Sequence, residues 1–92
     1  MMMKNDPLPP ASPKDIKFNF RLIDMWSTVI DDKTVHVQEY QDQDYPFVRM
    51  TKDSIGRTCL YITTRPVYWG DYEYIRTYDV LRHRVWQILN YE

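Results

Sequence analysis

The spacing of the apolar residues changes once along this chain, after Pro66. Before that proline, apolar and polar residues alternate, a pattern typical of half-buried β-strands. From Gly70 to Tyr91, apolar residues recur three and four positions apart, which places them on one face of an α-helix. A small sheet needs its apolar face covered, and this helix is the cover that the sequence offers. The sequence therefore predicts an α+β fold in which a small antiparallel β-sheet, a meander of four to five strands, packs against one C-terminal α-helix.

The predicted strands are separated by residues that favour turns. Asp-rich segments at 31–33 and 41–44 suit turns because Asp side chains bond their own backbone, and Gly56 allows a positive φ in a third loop. The first apolar run is too long for one usual strand, so we expect a break or bulge near Asp24–Met25. The predicted strand segments are residues 16–23, 25–30, 34–40, 45–51 and 57–65.

The helix is predicted to begin at Gly70 or Asp71, with Asp71 and Glu73 in its first turn, where the helix dipole favours negative charge. Its apolar stripe should cover the apolar face of the sheet. The helix residues predicted to face the sheet are Tyr74, Ile75, Tyr78, Leu81, Val85, Ile88 and Leu89. The sheet residues predicted to pack against them are Phe18, Phe20, Leu22, Val35, Val37, Val48, Met50, Leu60 and Ile62.

The length of 92 residues fits one domain. Residues 1–15 contain four prolines among small and polar residues and offer little to bury, so we expect a disordered Pro-rich tail. Residues 16–92 then form the single domain of β-sheet plus helix. The one cysteine, Cys59, cannot form an internal disulfide, and no stretch has the pattern of a membrane span or signal peptide. These features predict a cytoplasmic, intracellular protein with no membrane partner.

Alternation also predicts what the sheet carries on the face turned away from the helix, because successive side chains of a strand point to opposite faces. On this face, which we call the open face, the predicted register places cations and aromatic residues but no acid, with Glu39 on the core side. Tyr and Arg are enriched at the energetic centres of protein interfaces. The residues predicted to bind a partner are Arg21, His36, Tyr40, Phe47, Arg49, Arg57, Tyr61 and Arg65.

Three kinds of partner fit such a face. A protein would use the large, rigid contact area of its Tyr and Arg residues. Single-stranded nucleic acid or a nucleotide would stack bases on Phe47 and Tyr61 while arginines meet phosphates. A second copy of the chain would make a homodimer. The structural alternative is that Tyr, Thr and Arg simply favour strands and pair across them. A secondary candidate surface on the helix carries Arg76, His83 and Trp86.

The sequence lacks the usual residue sets for catalysis and cofactor binding. Two glycines are too few for most phosphate-cradling loops. Cys59 and two distant histidines do not supply a zinc site, so we expect no metal and no cofactor. A Cys59–His36 pair would share the open face, but it lacks a third group to orient the base, and a packed cysteine is the more frequent outcome. We therefore expect no catalytic residues and no enzymatic activity.

Together these patterns predict a small non-enzymatic binding protein. It would act through protein–protein interaction as an inhibitor or adaptor, and it resembles, in type rather than in motif, the small accessory proteins of phages and mobile elements. The alternative is a β-sheet module that binds single-stranded nucleic acid or a nucleotide. Twelve Lys and Arg against thirteen Asp and Glu give a net charge of −1. This charge counts against the alternative, because non-specific nucleic-acid affinity comes mostly from neutralised phosphates.

Overall fold

A computed structural model describes residues 10–63 and 72–91 of the chain. Its regular elements are β1 (Phe20–Ile30), β2 (Lys33–Asp42), β3 (Val48–Asp53), β4 (Thr58–Thr63), β5 (Tyr72–Ile75) and α1 (Tyr78–Tyr91), with a short 3-10 helix (Pro13–Asp15) before β1. The strands form one antiparallel sheet in sequence order, β1-β2-β3-β4-β5. The predicted α+β fold, an antiparallel meander with one C-terminal helix, is therefore confirmed.

The hydrophobic core lies between α1 and one face of the sheet, on the side of β3, β4 and β5. Leu81 and Val85 of α1 are fully buried in the same cluster as Val48 and Ile62. The helix face and the phases of β3 and β4 are thus as the sequence predicts. The buried cluster comprises Ile16, Val48, Met50, Leu60, Ile62, Ile75, Leu81 and Val85. Partly buried residues around it include Phe18, Phe20, Tyr40, Tyr45, Phe47, Trp86, Ile88 and Leu89.

β1 is one continuous strand with a β-bulge at Ile23. Leu22 pairs with Tyr40 and Asp24 pairs with Glu39, so Ile23 is the extra residue. The break expected near Asp24–Met25 is therefore confirmed as a bulge that interrupts the register without ending the strand. A bulge changes which side chains reach each face. After Ile23 the even-numbered residues Asp24 and Trp26 lie on the open face. In a strand without a bulge, the odd-numbered residues would lie there instead.

The β1–β2 hairpin extends beyond the rest of the sheet. Its turn consists of Asp31 and Asp32, which have φ values of 50° and 63°. Positive φ at both central residues is the type I′ geometry that fits the twist of a hairpin, and Asp tolerates it better than most residues. The register of β3 reaches only Val37 of β2, so the tip of the hairpin projects and the molecule measures 52 Å along its longest axis.

The predicted phase of β2 is wrong. Tyr40 pairs with Met50 and packs on the core. Val37 pairs with Asp53 and Val35 pairs with Thr28, and both valines lie on the open face. Both phases of this strand carry apolar side chains, so alternation within β2 does not choose between them. The choice is made by long-range pairing, and a shift of one residue exchanges the faces of every side chain.

The predicted start of the helix is also wrong. Gly70 and Asp71 lie outside the described residues, residues 72–75 form strand β5, and α1 begins only at Tyr78. Thr77 caps the helix: its hydroxyl oxygen accepts the N–H of Val80 at 3.2 Å. The spacing of Tyr74, Ile75 and Tyr78 fits a helix, but the alternating run 72–75 fits a strand equally well. Pairing with the free edge of β4 decides in favour of the strand.

The segment before β1 differs from the predicted tail where it is described. Residues 1–9 of the predicted tail lie outside the described residues. Residues 13–15 form the 3-10 helix, which contacts α1, and the carboxylate of Asp15 accepts the backbone N–H of Ser12 at 3.1 Å. Ile16, the next residue, is fully buried in the core. The reason is packing: Ile16 supplies an apolar anchor that holds the short helix against α1.

Candidate binding surface on the open face and its edge

Strand pairing aligns one residue from each strand into a row that crosses the open face. Residues directly opposite each other in antiparallel strands share a face. Of the predicted binding residues, Arg21, Arg49 and Tyr61 all belong to this row, so for these three the predicted face is correct. The row is Arg21, Gln41, Arg49, Tyr61 and Tyr74.

The neighbouring row contains Glu39, whose predicted position on the core side is wrong. Glu39 pairs with Asp24 on one side and Thr51 on the other, on the open face. The hydroxyl of Tyr61 donates a hydrogen bond to Glu39 Oε1, and Arg49 Nη1 lies 3.9 Å from the same oxygen. Glu39, Tyr61 and Arg49 thus form a partly buried polar cluster in the middle of the face.

The open face is not the acid-free cationic surface that the sequence predicts. Asp24, Glu39 and Asp53 lie on it, because the bulge and the true phase of β2 bring them there. Arg57 is in the β3–β4 loop, with its Nε 2.9 Å from Asp53 Oδ2. The backbone N–H of Arg57, followed by its guanidinium, lowers the pKa of Asp53 below the usual value. The two best-placed cations of the face are therefore already next to carboxylates.

Four of the remaining predicted site residues lie elsewhere or cannot be placed. His36 lies on the opposite face, where its Nδ1 is hydrogen-bonded to Ser27 Oγ at 2.9 Å. Tyr40 and Phe47 pack on the core. Arg65 lies outside the described residues. The Cys59–His36 pair does not form, because Cys59 pairs with Thr51 on the open face.

The secondary surface on the helix is only partly a surface. Arg76 is exposed just before α1, and His83 is exposed on it. Trp86 is half-buried and packs against the hydrophobic core. Within the described residues, Arg76, His83 and Trp86 therefore do not form one continuous exposed surface.

The open face contains a concavity of about 330 Å³ that we call the tyrosine pocket. Tyr61 and Tyr72 meet edge to face, with ring centroids 5.4 Å apart, and Tyr74 lies 6.0 Å from Tyr61. Such tilted and edge-on arrangements are favourable for aromatic rings. The pocket is lined by Trp26, Glu39, Thr51, Cys59, Tyr61, Tyr72 and Tyr74. Of these, the sequence reasoning named only Tyr61 as a binding residue: Trp26 reaches the pocket through the bulge, Glu39 through the phase of β2, and Tyr72 and Tyr74 through β5.

The second feature of this surface is β1 itself, which forms one edge of the sheet. Residues 21–29 are all exposed, including the predicted core residue Leu22. Because α1 packs mainly on β4 and β5, it leaves residues 21–29 of β1 exposed. Half of the large apolar residues that are exposed in the described part of the chain lie on this strand: Leu22, Ile23, Met25, Trp26 and Val29.

A wider groove of about 500 Å³ lies where the β1–β2 hairpin leaves the sheet, and it shares Met25 and Trp26 with the β1 edge. In the described residues, no three His, Cys, Asp or Glu side chains are placed to share a metal ion. The described helices also include none that is both long and apolar enough to cross a membrane.

Replacing Tyr61 by Phe should cost stability in a pH-dependent way. Burial, and then the hydrogen bond to Glu39, raise the pKa of Tyr61 above its usual value of about 10. Because the pKa of Tyr61 is higher in the folded than in the unfolded state, the protonated hydroxyl contributes its full share to the free energy of unfolding below pH ~10. This contribution is lost as the pH rises further. Urea unfolding should therefore show Tyr61→Phe about 1 kcal/mol less stable than the wild type at pH 8. The difference should shrink above pH ~10, and a constant difference up to pH ~11 would contradict the burial of this hydroxyl.

Comparison with known proteins adds no relative. No protein-family model matches the chain, and neither a curated protein nor a solved structure matches it significantly.

Proposed function

We propose that this chain is a non-enzymatic, cytoplasmic protein-binding module of the inhibitor or adaptor type, which docks its partner along β1 and the adjoining open face. The observation that carries the proposal is the exposed edge strand. β1 is eleven residues long, contains no proline and exposes apolar side chains on both of its faces. Natural sheets usually protect such an edge with charges, prolines, bulges or a covering element, because its N–H and C=O groups pair readily with another chain. The bulge and the charges of β1 lie at residues 21–24, whereas residues 25–30 contain no charge and no proline.

A partner strand added to β1 would satisfy those backbone groups, while the side chains on either face of β1 supply contact area. On the open face, Trp26 continues into the tyrosine pocket. On the opposite face, Met25 borders the groove at the base of the hairpin. Aromatic residues and Met are the types enriched in the centres of protein interfaces. One continuous surface thus offers backbone pairing and apolar anchoring together.

The nucleic-acid alternative has less support. Phosphate binding needs cations that are free to neutralise the backbone. Arg49 lies beside Glu39 and Arg57 is bonded to Asp53. Of the cations predicted to bind a partner, Arg21 is the one that has no carboxylate next to it among the described residues. One free arginine and three acids favour a protein partner over a phosphate backbone.

The proposal predicts that charges on β1 abolish partner binding while charges elsewhere do not. Met25→Lys combined with Val29→Lys alters two side chains that are 64% and 68% exposed, so the fold should survive. A control with matched chemistry is Ile55→Lys combined with Val80→Lys, at exposed apolar positions away from β1. We expect the β1 variant to weaken partner binding by roughly 30-fold or more, as loss of interface hot spots does. The control should bind as the wild type does.

The partner is first isolated from nuclease-treated lysate of the source cells, then purified, and its Kd for each variant is measured by calorimetry. Equal binding of the wild type and the β1 variant would contradict docking on β1. Loss of the captured material on nuclease treatment would favour the nucleic-acid alternative. Sedimentation of the free chain tests the homodimer: a dimer that the β1 substitutions dissociate would assign this edge to self-association.

A further inference from the structure

The tyrosine pocket combines aromatic walls with one ionised side chain. Glu39 is the charged residue among the described side chains that line it. Its Oε1 accepts the hydroxyl of Tyr61, whereas its Oε2 accepts no hydrogen bond from the described part of the chain. The carboxylate therefore keeps an oxygen available to a ligand that enters the pocket.

Arg49 does not neutralise this site fully. Its Nη1 lies 3.9 Å from Glu39 Oε1, which is longer than a hydrogen bond, and Arg49 is not part of the pocket lining. The aromatic rings add to the negative character of the pocket, because the faces of Trp and Tyr rings carry negative potential. The concavity is complementary to a cation, and the described side chains that line it include no charged donor for an anion.

We propose that the tyrosine pocket binds the guanidinium group of an arginine side chain of the partner protein. Glu39 Oε2 would accept its N–H groups, while the rings of Trp26 and Tyr74 would stack on it. This assignment rests on the proposed function, since the arginine belongs to the protein that docks on β1 and the open face. Trp26 connects the two surfaces, because it lies on β1 and also lines the pocket.

A guanidinium suits this pocket better than the other biological cations. It is planar, stacks on aromatic rings and is only weakly hydrated, so it enters an aromatic site at low desolvation cost. Its several N–H donors match the acceptors at the pocket, namely Glu39 Oε2 and the hydroxyl of Thr51. A lysine ammonium is a compact, strongly hydrated charge, and a quaternary ammonium has no N–H to give to Glu39.

The probe is the blocked tripeptide Gly-Arg-Gly, titrated into the ¹⁵N-labelled full chain. The readout is the NMR shift of the Trp26 indole N–H and of the Thr51 amide. Three matched tripeptides carry citrulline, lysine or trimethyllysine in place of arginine. We expect the arginine peptide to bind about tenfold more tightly than the citrulline peptide, which has the same shape without the charge. Equal shifts with arginine and citrulline, or tighter binding of lysine or trimethyllysine, would overturn the assignment.

Variants of the chain test the two halves of the site. Glu39→Gln keeps an oxygen to accept the Tyr61 hydroxyl but removes the charge, so it should weaken the arginine peptide by about tenfold. Tyr74→Leu should lower the affinity for the arginine peptide by about threefold. Tyr74→Phe keeps the ring and should bind the peptide as the wild type does. Unchanged affinity of Glu39→Gln, or equal effects of Leu and Phe at position 74, would contradict the proposed contacts.

The outcomes separate this inference from the proposed function. If the arginine peptide leaves Trp26 and Thr51 unshifted while the β1 charges still abolish partner binding, the pocket assignment fails and the docking surface stands. If the peptide binds but the partner ignores the β1 charges, the pocket recognises arginine and the β1 docking fails.

Discussion

Val85→Asp is expected to unfold the protein at room temperature. Val85 has no exposed surface, and it lies in the buried cluster between α1 and the sheet. An unpaired carboxylate in such a site costs several kcal/mol. A domain of this size has a total free energy of unfolding of about 5–10 kcal/mol, so the substitution removes most or all of it. The measurement is far-ultraviolet circular dichroism together with urea unfolding of the purified variant.

Val80→Asp is the matched control on the same helix. Val80 lies in the first turn of α1 and is 51% exposed. The same change of side chain should alter the free energy of unfolding by no more than about 0.5 kcal/mol. A Val85→Asp protein as stable as this control would mean that α1 does not cover the sheet through Leu81 and Val85.

The face of α1 was predictable from sequence, but the start of the helix was not. Leu81 and Val85 recur at helical spacing with polar residues between them, and no strand pattern competes with that spacing. Before α1, the spacing of Tyr72, Tyr74 and Ile75 fits both the helical and the strand periodicity. What decides there is the free edge of β4, which offers backbone partners to a fifth strand. Such an edge exists only once the preceding strands have paired, so local periodicity does not reveal it.

The same limit explains the errors on the open face. Arg49 and Tyr61 were placed correctly, because β3 and β4 each have one clearly apolar phase. β2 has apolar residues on both phases, and its face depends on the pairing of Tyr40 with Met50. Glu39 consequently moved from the predicted core side to the centre of the open face. The phase of β2 therefore decides the charge of the candidate site: the predicted phase gives a cationic surface, and the observed phase places a carboxylate beside Arg49.

The tyrosine pocket depends on the bulge in β1 and on the fifth strand together. Trp26 reaches it only because the bulge at Ile23 reverses the alternation of β1. Tyr74 reaches it only because residues 72–75 are a strand rather than a helix. A bulge was expected near Asp24–Met25, but its consequence for Trp26 depends on the partner register. Sequence reasoning therefore recovered the sheet and the sidedness of β3 and β4, and it missed the side chains that β1, β2 and β5 bring to the pocket.

The second large effect is expected from Asp42→Ala. Asp42 is 1% exposed at the end of β2, where its two carboxylate oxygens accept three backbone N–H groups. Oδ2 accepts that of Asn19 at 2.6 Å, and Oδ1 accepts those of Asp44 and Tyr45, each at 2.9 Å. The Asp-rich turn predicted at 41–44 is present but begins only after Asp42, which ends β2. The Asp42 carboxylate also joins this turn to the segment that leads into β1.

Alanine at this position would leave three backbone donors in a partly buried region without their acceptor. A hydrogen bond to a charged group contributes about 1.5–3 kcal/mol, and the three bonds act as one unit rather than additively. We expect Asp42→Ala to lower the free energy of unfolding by at least about 3 kcal/mol and the Tm by more than about 12 °C. Asp42→Asn, which keeps one acceptor oxygen, should lower the free energy of unfolding by less.

Asp44→Ala is the control two residues away, since the exposed Asp44 carboxylate accepts no hydrogen bond from the described residues. Equal thermal stability of Asp42→Ala and Asp44→Ala would show that the Asp42 carboxylate does not hold the β2–β3 turn to the start of β1.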